Sequence, residues 1–229
     1  MDLDRYNYLK MRDFKIDQNI SEHLLEMLEM LIHWIFQVGE QNNLEIKTIE
    51  LAAILSKFYM SKQQISSERA DLLGIASLMI AVKFNECQNK TSMNIQDCVD
   101  QCQSKYSSIE IIDMEMKILS LIEYDANFTT ITDYYDDEAV QIDLVLFVTL
   151  DSEFLYFRKY ELYEAIRNFY SKDTSNLSEI TKHIISKIST KIQQLTTQDE
   201  NNTPKIIKKT IKKKGFRRQR ISSSQSITL

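Results

Sequence analysis

The chain has 229 residues, of which 43% are hydrophobic, and a net charge of −5. Its three glycines and single proline are too few for the turns of a β-rich protein, so the composition favours an all-helical fold. Because no apolar run approaches the roughly 20 residues of a membrane span and the N-terminus has no signal-peptide pattern, we expect a soluble, intracellular protein with no membrane partner.

Five helices are predicted in the first half of the chain. The first places apolar residues at spacings of three and four between Leu24 and Ile35, with Ser21 as its N-cap and Gly39 as its stop signal. The third is apolar on almost every side, which is typical of a central, buried helix. The remaining predicted bounds are a start near Thr48 for the second helix, Ser66 or Ser67 to Asn85 for the third, about 92–103 for the fourth and 108–123 for the fifth.

Helical patterns continue, less regularly, as far as residue 197. We predict an N-terminal segment (1–20), a five-helix domain (21–126), a shorter helical domain (127–197) and a disordered basic tail (198–229). Residues 203–229 carry nine lysines or arginines and no acid, which leaves 19 basic and 33 acidic residues, a net charge of −14, on the rest of the chain. Such an acidic body opposes phosphate binding, so nucleic acid is an expected partner only through the tail.

Two ionisable residues interrupt apolar stripes. Lys83 completes an i, i+3, i+4, i+7 stripe on the third helix, and Glu115 lies within a similar stripe on the fifth. A buried, unpaired charge is costly, so each must find a partner or reach solvent. One interpretation is that Lys83 reaches solvent from a helix end and Glu115 lies on the surface beside its stripe. The other is that both lie at the rim of a shared apolar surface and bind the backbone of a second protein.

The stretch from about 22 to 125 resembles the cyclin box, the five-helix domain of cyclins. The likeness lies, in order, in MLIHWIFQVGE around Trp34, TIELAAILSKFYMS, LLGIASLMIAVKFNE and IDMEMKILSLIEYD. The resemblance implies an all-α fold in which the five-helix box precedes a truncated or divergent second helical domain. It also implies a regulatory subunit, not an enzyme, that binds and activates a cyclin-dependent protein kinase. Control of the cell cycle is then the expected process, in the nucleus, the cytoplasm or both.

By resemblance, Lys83 and Glu115 align with the Lys and Glu with which cyclins hydrogen-bond backbone groups of the kinase. In the family, the cyclin box packs against a mobile helix of the kinase. This positions a glutamate of that kinase helix to pair with the lysine of the kinase's ATP site. Phe84, Glu86 and Ile118 are expected to belong to the same contact.

Several positions differ from the family. Many cyclins pair an Arg in the first helix with an Asp in the second, where this chain has Leu28 and Lys57, and we expect Lys57 to reach solvent. His33 replaces an Asp, and Asn85 replaces the first of two acids. These differences leave the subfamily and the partner open.

Some cyclins hold substrates on a hydrophobic docking patch, which this chain keeps in part. An uncharged residue occupies its acidic position, and two further positions, Ala70 and Asp71, also differ, so we expect docking to be weakened or altered. The alternative is that the apolar members simply belong to the core. The corresponding residues are Met27, Met30, Leu31, Trp34 and Gln37.

The tail has the two basic clusters of a nuclear import signal, which would make an import receptor a partner. A solubilising end, or a site for nucleic acid or acidic proteins, is the alternative. Ser222 and Ser223 follow arginines, as basophilic kinases prefer, and phosphorylation there would lower the local positive charge. The basic residues concerned are Lys208, Lys209, Lys212, Lys213, Lys214, Arg217, Arg218 and Arg220.

No catalytic, metal or cofactor site is predicted. The three cysteines lack a fourth ligand at zinc-finger spacing, and the chain has no phosphate loop or nucleophile elbow. Two alternatives to a kinase regulator remain. One is a transcription factor of the IIB type, which shares the cyclin fold and binds DNA, and the other is a degenerate cyclin box that serves as a scaffold without activating a kinase.

Overall fold

The computed structural model describes residues 3–13, 21–86, 93–135, 141–169 and 175–197. All regular secondary structure in these ranges is helical, as the composition predicts. The α-helices are α1 (Leu3–Met11), α2 (Glu22–Gln41), α3 (Ile46–Lys62), α4 (Ala70–Asn85), α5 (Ile95–Gln101), α6 (Ser108–Leu121), α7 (Ile142–Leu150), α8 (Lys159–Asn168) and α9 (Glu179–Thr197). Short 3₁₀ turns lie at Ser67–Arg69, Thr132–Tyr134 and Ser152–Phe154. The five predicted helices of the first half are α2 to α6.

The start of α2 is as predicted, but its end is not. Ser21 is the N-cap, and its hydroxyl accepts a hydrogen bond from the Leu24 N–H at 3.4 Å. The predicted stop at Gly39 is wrong, because α2 continues to Gln41 and Gly39 is buried inside it. A Cβ at Gly39 would lie 2.6 Å from Cγ1 of Ile49, so the glycine allows α2 and α3 to approach each other.

Helix α4 is the central helix, as its uniformly apolar sequence predicts. Every residue from Leu72 to Val82 is buried, and α2, α3 and α6 pack around it. Gly74 lies where α2 crosses α4: a Cβ there would lie 2.7 Å from Cδ1 of Leu31 and 3.0 Å from the ring of Trp34. This packing fixes the end of α4 beside α6.

The contacts divide the chain into two units, residues 1–163 and 164–229. The predicted boundary between residues 126 and 127 lies inside the first unit, and the four predicted domain ranges stay predictions. In the second unit, α9 buries Ile184, Ile188 and Ile192 at four-residue spacing. No helix among the described residues is long and apolar enough to cross a membrane.

Helix α1 has no counterpart among the predicted helices. Polar contacts to the segment that follows α6 hold it in place. The Arg12 guanidinium donates to the carbonyl oxygen of Asn127 at 2.7 Å, and the Thr129 hydroxyl donates to that of Leu9 at 2.9 Å. The partners are more than 100 residues apart in sequence, so no local pattern announces them.

Lys57 does not reach solvent, contrary to expectation. Its side chain is buried on α3, 4% exposed, because α3 is covered on most of its sides. Burial lowers the pKa of Lys57 well below its ordinary value, and the buried ammonium of Lys159 lowers it further, while Glu50 acts in the opposite direction. Glu50 is itself buried and accepts hydrogen bonds from the backbone N–H groups of Ile131 and Thr132.

Candidate partner-binding site

Lys83 and Glu115 form an ion pair with each other. The Lys83 Nζ donates to Oε1 of Glu115 at 2.6 Å, which joins the last turn of α4 to the middle of α6. The lysine side chain is 58% exposed and the glutamate side chain only 9%. A second protein can therefore reach the ammonium from solvent, while the carboxylate lies at the edge of the core. That the two charges act together on a partner stays a prediction.

The sequence places this pair by two local rules. On α6, Glu115 lies between Met114 and the fully buried Ile118 at the edge of the helix's core face, and a short acidic side chain there needs a nearby cation. Lys83 lies in the last turn of α4, where the helix dipole favours positive charge. Because α4 packs directly on α6, each residue supplies the opposite charge with which the other pairs.

The three residues predicted to join this contact lie in different surroundings. Phe84, next to Lys83, is 49% exposed and offers an apolar surface. Ile118 is fully buried in the core. Glu86 is 2% exposed, and its Oε1 accepts hydrogen bonds from the Glu45 N–H and the Thr48 hydroxyl, both at 2.8 Å. Glu86 thus holds the start of α3. For the two buried residues, Ile118 and Glu86, a direct contact with a partner stays a prediction.

An exposed apolar strip on α6, composed of Ile109, Ile112 and Met116, was missed in the sequence. These side chains are 71%, 45% and 46% exposed. Their i, i+3, i+7 spacing places them on one face of the helix, different from the face that enters the core. The available signal was that α6 is apolar on two faces, although a surface helix needs only one.

The family model for the N-terminal domain of cyclins matches residues 3–127, more than half of the chain. The chain belongs to the cyclin family. The match begins at the first residue of α1 and ends just beyond α6, so it contains the Lys83–Glu115 ion pair and the α6 strip.

Mitotic cyclins are among the relatives of this cyclin. The G2/mitotic-specific cyclin-B3 of Drosophila melanogaster is 33% identical over 128 residues, 54% of this chain and 22% of that protein. Cyclin C13-1 of Daucus carota is 26% identical over 137 residues (56% and 39%), and cyclin-B2 of Bos taurus is 30% identical over 129 residues (53% and 31%). The matched region is thus less than two fifths of each of these relatives.

The fold is also that of a solved cyclin. The X-ray structure of a viral cyclin from herpesvirus saimiri superposes with a TM-score of 0.57, covering 82% of this chain and 85% of that one. Only 13% of the aligned residues are identical, so the likeness concerns the fold alone.

The residues of the predicted docking patch divide between core and surface in this cyclin. Met27 and Leu31 are buried, Trp34 is half-buried against Gly74, and Met30 and Gln37 are exposed. Their role in substrate docking stays a prediction. The predicted import and phosphorylation residues, from Lys208 to Ser223, lie outside the described residues.

Cys98 and Cys102 lie on α5 and at its end, beside the candidate site. Both are buried, and burial raises the pKa of the Cys98 thiol to about 12 and that of Cys102 to about 11. The charges of Lys83 and Glu115 also act on Cys98, in opposite directions. Thiols with such pKa values are poor nucleophiles. Among the residues that the structure describes, no group of three His, Cys, Asp or Glu is arranged to hold a metal ion.

Proposed function

We propose that this cyclin is a regulatory subunit that binds and activates a cyclin-dependent protein kinase and acts in control of the cell cycle. Membership of the cyclin family and the names of its mitotic relatives support this proposal. The observation that carries it is the Lys83–Glu115 ion pair. In these two residues, which the resemblance singles out, Nζ and Oε1 lie 2.6 Å apart, beside the exposed Phe84.

The arrangement suits a contact with another protein's backbone. The lysine, 58% exposed, provides a donor that solvent reaches, and the neighbouring Phe84 provides an apolar surface that binding would remove from water. Lys83 binding to backbone carbonyls at one end of the kinase's mobile helix would favour the active position of that helix. Activation then follows from the shift in the kinase's conformational equilibrium, with no chemistry performed by the cyclin.

The test is purification of the full chain from its native cell, followed by a protein kinase assay. We expect kinase activity to accompany the wild type and to be lost with Lys83→Ala/Glu115→Ala. The matched control is Lys182→Ala/Glu179→Ala, which removes a lysine–glutamate ion pair of 2.8 Å on α9. A kinase bound equally by both variants would place the interface elsewhere. Absence of any kinase with the wild type would overturn the proposal and favour a scaffold or a nucleic-acid-binding role.

For the basic tail, we propose recognition by an import receptor, and a nuclear as well as a cytoplasmic location. Its charge density supports this. Replacing the eight lysines and arginines from Lys208 to Arg220 by alanine should shift a fluorescent fusion of the full chain from nucleus to cytoplasm, and an unchanged distribution would refute it. We further propose phosphorylation at Ser222 or Ser223, which intact-mass measurement of protein from its host tests; a persistently unmodified tail would count against it.

A further inference from the structure

The first turn of α8 takes its cap from a distant part of the chain. Arg158, which precedes the helix, has no side-chain oxygen that could accept from the first N–H groups. Asp13, which follows α1, supplies the acceptor instead: its Oδ2 accepts from the N–H of Tyr160 at 3.1 Å, across 147 residues of sequence. A carboxylate carried by the N-terminal segment therefore lies at the positive end of the α8 dipole.

Two buried lysines lie beside this carboxylate. Lys159 is 8% exposed and Lys57 only 4%. Burial lowers the pKa of both, the charge of Lys159 lowers that of Lys57 further, and the charge of Asp13 raises that of Lys159. Within the described ranges, neither lysine ammonium donates a hydrogen bond, and Oδ1 of Asp13 is buried without a partner. Asp13 thus leaves part of the hydrogen-bonding capacity of both lysines unused.

The nearest other acid is already engaged. Glu50 acts on both lysines electrostatically, but its oxygens accept from the N–H of Ile131 at 3.0 Å, the N–H of Thr132 at 3.1 Å and the hydroxyl of Thr132 at 2.7 Å. Turning Glu50 toward the lysines would break these hydrogen bonds. If Asp13 left, two lysines and the start of a helix would face this single acid, an arrangement that favours binding of an anion.

The segment that carries Asp13 is attached mainly by polar contacts. None of the residues of α1 is buried, and Leu3 and Met11 are 69% and 86% exposed. Beside Asp13, the attachments include the contacts of Arg12 with Asp125 and with the carbonyl oxygen of Asn127. Because α1 contributes no buried apolar side chain, its detachment should cost much less free energy than that of a core helix.

We propose that Lys57, Lys159 and the first N–H groups of α8 form a carboxylate-binding site in which Asp13 is the resident occupant, and that an incoming carboxylate displaces α1. The incoming group is a small free acid or an acidic side chain of another protein. Because it and Asp13 cannot occupy the site together, its binding and the attachment of α1 oppose each other. This inference goes beyond the proposed function and holds whether or not a kinase binds.

The test removes the resident carboxylate and supplies another. Full-length Asp13→Ala should be less stable than wild type in sodium chloride. In about 0.2 M sodium formate its unfolding equilibrium constant should be roughly tenfold lower than in sodium chloride of equal ionic strength, because formate binds only the folded chain. Urea unfolding followed by circular dichroism measures the constant. If Asp13→Ala does not fold in chloride, formate should restore its helical signal.

Two further variants make the rescue specific. Asp125→Ala removes the exposed carboxylate that pairs with Arg12 and leaves the buried lysines in place, so formate should affect it as it affects wild type. Asp13→Ala/Lys159→Met lacks both charges of the site and should gain nothing from formate. A gain that persists without Lys159, or no gain in Asp13→Ala, would overturn the inference.

The source of the carboxylate is separated by a fluorescein-labelled polyglutamate peptide. Fluorescence anisotropy should show it binding Asp13→Ala roughly tenfold more tightly than Asp13→Ala/Lys159→Met if acidic side chains are accepted. Rescue by formate without peptide binding identifies a small acid. In wild type, saturating amounts of whichever ligand binds should speed hydrogen exchange of the backbone amides of residues 3–11, since α1 detaches. Unchanged exchange would refute the displacement of α1.

Discussion

Replacing Glu86 tests whether this residue supports the fold or contacts a partner. In Glu86→Ala the N–H of Glu45 and the hydroxyl of Thr48 lose the carboxylate that accepts from both at 2.8 Å, and the N-terminus of α3 loses a nearby negative charge. Hydrogen bonds to charged groups contribute about 1.5–3 kcal/mol each, and the freed N–H can be partly rehydrated. We therefore expect the free energy of unfolding to fall by about 2–4 kcal/mol.

The assay is urea unfolding of the full chain, followed by circular dichroism. For a domain of this size the loss corresponds to a melting temperature roughly 4–16 °C lower. Glu86→Gln, which keeps an acceptor oxygen but not the charge, should lie between alanine and wild type. Thr48→Val removes only the hydroxyl. Combined with Glu86→Ala it should cost less than the sum of the two single variants, because both remove the same hydrogen bond.

One result would refute this reasoning. If Glu86→Ala unfolds at the same urea concentration as wild type but no longer binds the kinase, the carboxylate acts at the interface and its intramolecular hydrogen bonds do not matter for stability. Equal kinase binding, measured under conditions in which both proteins are folded, agrees with the structural role.

Two further substitutions probe the core of the first unit. Because Lys57 has a lowered pKa when folded, the unfolded chain binds an additional proton between that pKa and the ordinary value of 10.5, so stability rises with pH across this window. Lys57→Met should reduce the slope of stability against pH, measured by urea unfolding at several pH values, and should stabilise the protein by about 1 kcal/mol or more at neutral pH. A destabilised variant with an unchanged slope would contradict this. Burial also lowers the pKa of Lys159, which accounts for any slope that remains. Gly74→Ala pushes Leu31 and Trp34 of α2 away from α4 and should cost about 1–3 kcal/mol. Since Trp34 is the only tryptophan, its fluorescence emission reports the displacement of its ring directly. An unchanged spectrum and an unchanged stability would show that α2 accommodates the added methyl group at no cost.

Much of the helical domain was predictable because its signals are local. Apolar spacing identified α2 to α6, Ser21 marked a true N-cap, and the uniformly apolar run of α4 indicated its central position. The positions of Lys83 and Glu115 within apolar stripes also drew attention to the site before any geometry was known. What these signals share is that each depends on residues within a few turns of one another.

The errors arise where the cause lies in another element of the fold. Gly39 looked like a helix stop, but its absent side chain makes room for Ile49 of the next helix. Lys57 looked free to reach solvent, yet it is buried, and Lys159, about 100 residues away in the sequence, lowers its pKa further. The ion pair of Lys83 with Glu115 also joins two helices, and the two stripes taken separately did not show that their charges meet.

The rate at which a reagent modifies the buried thiols of Cys98 and Cys102 can report whether a partner occupies the candidate site. A thiol reagent can modify them only in molecules where α5 has detached from α4 and α6, against which it packs. With Cys87→Ser as background, the labelling rate reports the free energy of that detachment. A kinase that binds at Lys83 and Glu115 would stabilise both helices, so saturating kinase should slow the labelling. Mass spectrometry would measure the labelled fraction, and the slowing of labelling would report kinase binding without an activity assay.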